Sequence, residues 1–133
     1  MKKRHLAILL SQLAPNPKPR LKWEGYNIDA ESAAEMAYAA FMHGDIKGKR
    51  IIDLGCGSGI LGIAAALLGA RRVLGIDIDE RAIRTAVLNA KKVGEIVRDL
   101  LGQEKFLQVL PYFPVCENCG KIYTTRAYEL LPS

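Results

Sequence analysis

The stretch Asp53-Leu54-Gly55-Cys56-Gly57-Ser58-Gly59 sets three glycines at alternate positions directly after the apolar pair Ile51-Ile52. Without a Cβ the backbone can turn sharply there, and a ligand can approach where any side chain would collide. Upstream, Lys49 to Leu54 reads as a short strand. Downstream, Ile60 to Leu68 reads as an apolar helix closed by Gly69, and Arg72-Val73-Leu74-Gly75-Ile76-Asp77 as the next strand. A further helix starts at Asp79, with Glu80 in its first turn complementing the helix dipole and Ala82, Ile83, Ala86, Val87 and Ala90 on one face. Strand, glycine turn, helix, strand, helix requires parallel strands joined by a right-handed crossover. The fold class is therefore α/β and Rossmann-like, with an incomplete parallel sheet preceded by two helices.

The acid that closes the second strand, Asp77, stands where a carboxylate accepts hydrogen bonds from ribose hydroxyls, so turn and acid together indicate an adenosine-containing cofactor. Gly57-Ser58-Gly59-Ile60-Leu61-Gly62 also satisfies the dinucleotide fingerprint, but read from Gly57 it starts two residues after the turn begins. Asp53 separates the alternatives. A carboxylate at the strand end attracts the methionyl ammonium of S-adenosylmethionine, whereas beside an anionic pyrophosphate it repels. The expected cofactor is S-adenosylmethionine, held by Asp53, Gly55, Gly57, Ser58, Gly59 and Asp77; a nicotinamide or flavin dinucleotide, or a βαβ unit with no cofactor, are the competing readings.

Around this unit, Leu6, Leu9, Leu10 and Leu13 follow helical spacing, so residues 3 to 13 read as an amphipathic helix. The alternating prolines Pro15, Pro17 and Pro19 end it in a stiff, extended connector. A second helix begins after Asp29 as N-cap, with Ala33, Met36, Ala37, Ala40 and Phe41 inward and Gly44 as its stop. Beyond Lys92 the pattern changes: 93 to 101 still reads as helical, 106 to 110 as a short strand, Pro111-Tyr112-Phe113-Pro114 as a break, Cys116 to Gly120 as a turn and 121 to 128 as extended. The division is 1–92, helices and the cofactor-binding half, against 93–133, a tail of different character.

Length and composition narrow the class. The chain has 133 residues, enough for one compact core and too few for two. Half of it is apolar and a quarter charged, a globular composition. The longest apolar run, Ile60 to Ala70, is broken by glycines and falls short of the ~20 residues a membrane span needs. Met1 to Arg4 followed by Leu6 to Leu10 has the outline of a signal peptide without a cleavage site, and reads as mature protein. Three cysteines, an odd number, point to a reducing, cytoplasmic setting. Net charge is +5, distributed as +4 over 1–50, +2 over 51–92 and −1 over 93–133. Lys2, Lys3, Arg4, Lys18, Arg20, Lys22, Lys47, Lys49 and Arg50 make the N-terminal region a candidate RNA-facing surface, against the alternative of an ordinary solvated face.

Several segments carry a resemblance: His5 to Leu13, Leu21 to Ala34, Asp53 to Gly59 and Gly75-Ile76-Asp77-Ile78-Asp79. Residues 3 to 92 resemble the amino-terminal part of archaeal methyltransferase-like, S-adenosylmethionine-dependent enzymes that methylate the exocyclic amine of adenine in ribosomal RNA. The resemblance implies a Rossmann-like methyltransferase fold and an RNA partner. Where that family has Glu-Gln-Tyr-Pro-Thr, this chain has Glu24-Gly25-Tyr26-Asn27-Ile28, losing two polar groups expected near the cofactor. The family's Asn-Pro-Pro-Phe-type loop, which positions the target amine, is also missing; Leu110-Pro111-Tyr112-Phe113-Pro114 lacks the leading polar residue and the paired prolines. Residues 93 to 131 resemble instead an internal piece of archaeal class I lysyl-tRNA synthetases, through Glu95-Ile96-Val97-Arg98 and Phe113 to Thr125, with none of that family's ATP-binding motifs.

The expectation is a methyltransferase-family protein with no catalytic residue assigned, truncated after the cofactor half and weakly active or inactive. The alternatives are a non-catalytic fusion fragment or small nucleic-acid-binding module, and, third, a dinucleotide-binding oxidoreductase fragment. Cys116 and Cys119 are half of a zinc site and lack a second pair, so no metal is expected in one copy of the chain.

Overall fold

The computed structural model describes residues 1–16, 27–101, 107–112 and 126–132. Two helices, α1 (Lys3–Leu10) and α2 (Ala30–Met42), precede the unit β1 (Arg50–Leu54), α3 (Ile60–Leu67), β2 (Arg72–Asp77) and α4 (Glu80–Leu101); β3 (Leu107–Tyr112) and β4 (Arg126–Pro132) follow. The helix expected over 3 to 13 is shorter, because Ser11 to Leu13 leave the α-helix in turns. Asp29 caps α2 as expected, its carboxylate accepting the Ser32 backbone N–H at 2.8 Å and the Ser32 hydroxyl at 2.8 Å. These bonds hold the exposed Asp29 carboxyl below its ordinary pKa, the Ser32 amide being the larger cause.

The four strands form one sheet in the order β1-β2-β4-β3. β1 and β2 are parallel with Ile52 opposite Leu74, as the crossover requires. The tail adds the other half of the sheet, antiparallel: β4 lies against β2 with Leu130 opposite Val73, and β3 pairs with β4. The sheet is thus mixed, whereas the glycine-turn unit by itself predicts parallel strands only. Pro111 does not interrupt β3, since β3 is at the end of the sheet, where a residue without an amide donor is tolerated. The 92/93 boundary falls inside α4, and Val93 is fully buried there. Cys116 to Gly120 and the run 113–125, on which the expected synthetase resemblance rests, lie outside the described residues.

One core gathers Leu6 and Leu10 of α1, Ala33, Ala34 and Ala37 of α2, the alanine-rich α3, Val73 of β2, the Ala86/Ala90/Val93 stripe of α4 and Leu130 of β4. Small side chains on α2 and α3 pack in this core, and the two helices share with β1 a groove at Asp53. Met36, expected inward, is 55% exposed, and Ala34 takes the buried position instead. Sitting at the other end of the sheet, β1 leaves Ile52 and Leu54 63% and 76% exposed.

Candidate functional site

The turn between β1 and α3 holds Gly55, Gly57 and Gly59 at φ of +69°, +55° and +83°. L side chains rarely adopt these values, so all three positions favour glycine for conformational reasons alone. A Cβ added at Gly55 or Gly57 would meet no atom within 4 Å, so this part of the turn faces open space. The loop is fixed from behind: Cys56 N–H donates to the Ile76 carbonyl at 2.9 Å, and Gly59 N–H to the Cys56 carbonyl at 2.9 Å. Gly59 is the N-cap of α3.

Asp77 organises the turn. Gly57 N–H donates to Asp77 Oδ2 at 2.8 Å, and Asp79 N–H to Asp77 Oδ1 at 2.8 Å. Each oxygen retains acceptor capacity, because a carboxylate offers about four lone-pair sites. Asp53 accepts the Gly62 backbone N–H on Oδ2 at 3.2 Å. It borders a groove of about 270 Å³ between α2, β1 and α3, lined also by Met36, Ala40, Ile51 and Leu61. Burial raises its pKa to about 6 and the nearby Asp77 charge pushes the same way, against the Gly62 amide. Asp53 is thus a carboxylate whose charge is under-compensated, suited to receiving a cation. Burial, with Asp53 and Asp77 adding to it, also raises the Cys56 thiol pKa, so Cys56 is a protonated packing residue.

Ser58 and Gly59 face inward. Ser58 is buried, and its carbonyl accepts Asn89 Nδ2 at 2.9 Å. The same Asn89 amide donates to the Ala14 carbonyl at 2.7 Å and accepts the Ala14 N–H at 2.9 Å. Asn89 thereby ties the glycine turn to the segment after α1. A second tie follows: Asn16 N–H donates to Asn27 Oδ1 at 3.0 Å, Asn27 Nδ2 donates to the Asn16 carbonyl at 3.2 Å, and the Asn16 side chain hydrogen-bonds Asp79. Burial works to raise the Asp79 pKa, but the hydrogen bonds from Arg81 and Asn16 and the Arg81 charge outweigh it and hold the group low. Sequence reading missed Asn16, Asn27 and Asn89. For Asn89 a signal existed, a lone amide on the stripe of Ala82, Ala86, Ala90 and Val93. Glu24, Gly25 and Tyr26 lie outside the described residues. Among the described residues no group of histidine, cysteine and acidic side chains could hold a metal ion, and no helix is long and apolar enough to cross a membrane.

The profile of the ribosomal protein L11 methyltransferase (PrmA) family matches residues 33–104, more than half of the chain and the whole of the β1-to-α4 unit. The chain belongs to that family. Methyltransferase membership brings S-adenosylmethionine as the methyl donor, in place of the dinucleotide as the expected cofactor. Protein MJ0284 of Methanocaldococcus jannaschii, itself uncharacterized, is 31% identical over 150 residues, covering 98% of this chain and 68% of that protein. The L11 methyltransferase of Aeromonas hydrophila is 60% identical over 50 residues, 38% of this chain and only 17% of the relative. In structure the chain is similar to PH1948 of Pyrococcus horikoshii, described as a "putative RNA methyltransferase", with a TM-score of 0.60 at 20% identity over 98% of each chain. The Thermoplasma acidophilum protein 1320 gives 0.56 at 21% identity over 99% of this chain and 98% of that one. At such identities these two likenesses establish the fold, Rossmann-like and α/β, and nothing finer.

Proposed function

We propose that the cleft at the ends of β1 and β2 binds S-adenosylmethionine, with Asp53 taking the methionyl ammonium, Gly55 and Gly57 admitting the ligand, Ser58 and Gly59 fixing the turn, and Asp77 accepting the ribose hydroxyls. The observation that carries this reading is Asp53, a half-buried carboxylate raised toward a pKa of about 6 beside a glycine turn whose open side has room for a ligand. When bound, the cofactor supplies an activated methyl group on its sulfonium; the chain's own residues bind and orient it.

The acceptor we assign is RNA, with adenine in ribosomal RNA as the ancestral base and the basic N-terminal region as part of the contact surface, in the cytoplasm. The adenine assignment rests on the resemblance of residues 3 to 92, and the RNA assignment is in keeping with the description of PH1948. A protein acceptor is the natural rival, given the family's description. The 60% identity to an L11 methyltransferase, however, spans 17% of that enzyme, a piece too small to carry acceptor specificity. Because the sequence contains no Asn-Pro-Pro-Phe-type loop, methyl transfer by this chain alone is weak or nil, and no catalytic residue is assigned. The 92/93 division we keep as a proposal about origin, a join of two gene pieces.

Calorimetric titration with S-adenosylmethionine tests the reading, with Asp77→Ala and a nicotinamide dinucleotide as controls. Saturable binding lost in the variant and not displaced by the dinucleotide is expected. A folded chain that does not bind would leave only the inert fusion fragment or small nucleic-acid-binding module. Methyl transfer from labelled cofactor to ribosomal RNA then measures how much activity remains.

A further inference from the structure

The first residues of β1 and β2 meet at the end of the sheet opposite the glycine turn, about 13 Å away for four residues of strand. Two connections cross there, from α2 into β1 and from α3 into β2. They are clamped by Gly48 N–H to the Gly69 carbonyl at 2.8 Å and Arg71 N–H to the Lys49 carbonyl at 2.8 Å. The clamp gathers Lys47, Lys49, Arg50, Arg71 and Arg72, all exposed, against a single acid on these connections, Asp45. Arg72 has an interaction within the chain. Lys47, Lys49, Arg50 and Arg71 have no ion pair among the described residues. The Lys47 stem lies along Gly69, its Cγ 3.4 Å from where a Cβ would stand, so its direction is set by packing.

Arg50 stands beside Arg72 in the parallel register, at the first rung of the β1–β2 ladder. Four exposed cations without an ion pair among the described residues, held on clamped connections, make a positive field that attracts an external group of opposite charge. Within 45–50 and 69–72 the apolar side chains, Ile46 and Ala70, are both buried, so the cluster lacks the apolar centre of a protein interface.

We propose that this basic cap binds the phosphate backbone of RNA, so that one RNA strand touches the cap and the methyl-transfer cleft on the same molecule. The inference rests on the RNA reading above and adds where the backbone is held. It also moves the contact surface: Arg71, which sequence reading did not single out, joins Lys47, Lys49 and Arg50, while Lys3 is already paired with Glu35 at 3.6 Å.

The test is equilibrium binding of the full chain to a fluorescein-labelled RNA hairpin with an adenine in its loop, measured as anisotropy across a salt series. Lys47→Gln/Lys49→Gln/Arg71→Gln should weaken binding at least tenfold at low salt. It should also lower the slope of log K against log salt by about 2, at roughly 0.7 for each phosphate no longer neutralised. Its circular dichroism and its affinity for S-adenosylmethionine should be unchanged. The charge-preserving Lys47→Arg/Lys49→Arg/Arg71→Lys should bind as the unmodified chain does. If the triple Gln variant and the unmodified chain bind with the same affinity and slope, the cap does not hold the backbone, while the RNA reading survives. If the unmodified chain ignores the hairpin but binds phosphatidylserine vesicles or polyglutamate through the cap, the RNA assignment falls and this inference with it.

Discussion

Asp77 and Gly57, twenty positions apart in sequence, meet through a 2.8 Å hydrogen bond from the glycine amide to the carboxylate. The side chain assigned to the ribose is therefore also the one that shapes the turn, so substituting it acts on ligand and loop together. Asp77→Ala leaves the amides of Gly57 and Asp79 without their acceptor, each a loss of about 1–2 kcal/mol, and should lower the unfolding midpoint as well as abolish cofactor binding. Asp77→Asn keeps one acceptor oxygen but turns an amide NH2, a donor, toward one of the two N–H groups. In thermal melts and calorimetry it should fall between Asp77→Ala and the unmodified chain.

Asp53 makes stability and binding respond to pH in opposite senses. Its folded-state pKa lies near 6, above the ordinary 3.8, so between those values the folded chain holds a proton that the unfolded chain releases. Its contribution is therefore full below about pH 4 and is lost as pH rises to about 6, with an upper bound of roughly 3 kcal/mol. An ammonium ligand needs the ionised form, so cofactor affinity should fall as pH drops below about 6. Calorimetry near pH 6 in buffers of different ionisation enthalpy should register proton release on binding. Asp53→Asn should raise stability at neutral pH by about 1–3 kcal/mol while losing the cofactor.

Asn89 is 2% exposed and serves three backbone groups, both polar atoms of Ala14 and the Ser58 carbonyl. Asn89→Leu strands these groups in the interior and should cost about 3 kcal/mol or more in denaturant unfolding. Amides of residues 13 and 14 should then exchange faster than those of α3, because the tie between the α1 segment and the turn is cut.

Gly57→Ala tests the turn itself. At φ of +55° the substitution should cost about 1–2 kcal/mol, measured as a lower unfolding midpoint. The added methyl projects into the open side of the turn, so cofactor affinity should drop further than stability does.

Cys56 should resist alkylation. Its thiol is buried and held protonated by its surroundings, so iodoacetamide at neutral pH should modify the native chain at this position far more slowly than the denatured chain, read by peptide mass mapping.

The parts of the fold that were legible in the sequence are those where local chemistry decides: Asp29 as a cap, the glycines at positive φ, the apolar α3, and the alternation into Asp77. The positive-φ turn and the strand-end acid, on which the proposed cofactor site rests, were legible for the same reason, since they are close in sequence. What escaped notice depends on contacts between distant segments. Asn16 meets Asn27 and Asp79, and Asn89 meets Ala14, only in the folded chain; the apolar stripe of α4 marks Asn89 as an odd residue, but nothing in it names a backbone partner 75 positions away. Of the antiparallel half, 106 to 110 read as a strand and 121 to 128 as extended, but their bounds and pairing did not, because Pro111 reads as a terminator unless it is known to lie on an outer strand.

The position of β1 has an evolutionary side. Among the described residues β1 ends the sheet, and its outer row of backbone donors and acceptors is a template on which further β-structure can be laid. Growth there would adjoin Asp53 without cutting the glycine turn or displacing β2. A sheet that can grow at the strand bearing Asp53 can change its surroundings while the glycine turn and its hydrogen bonds to β2 stay as they are.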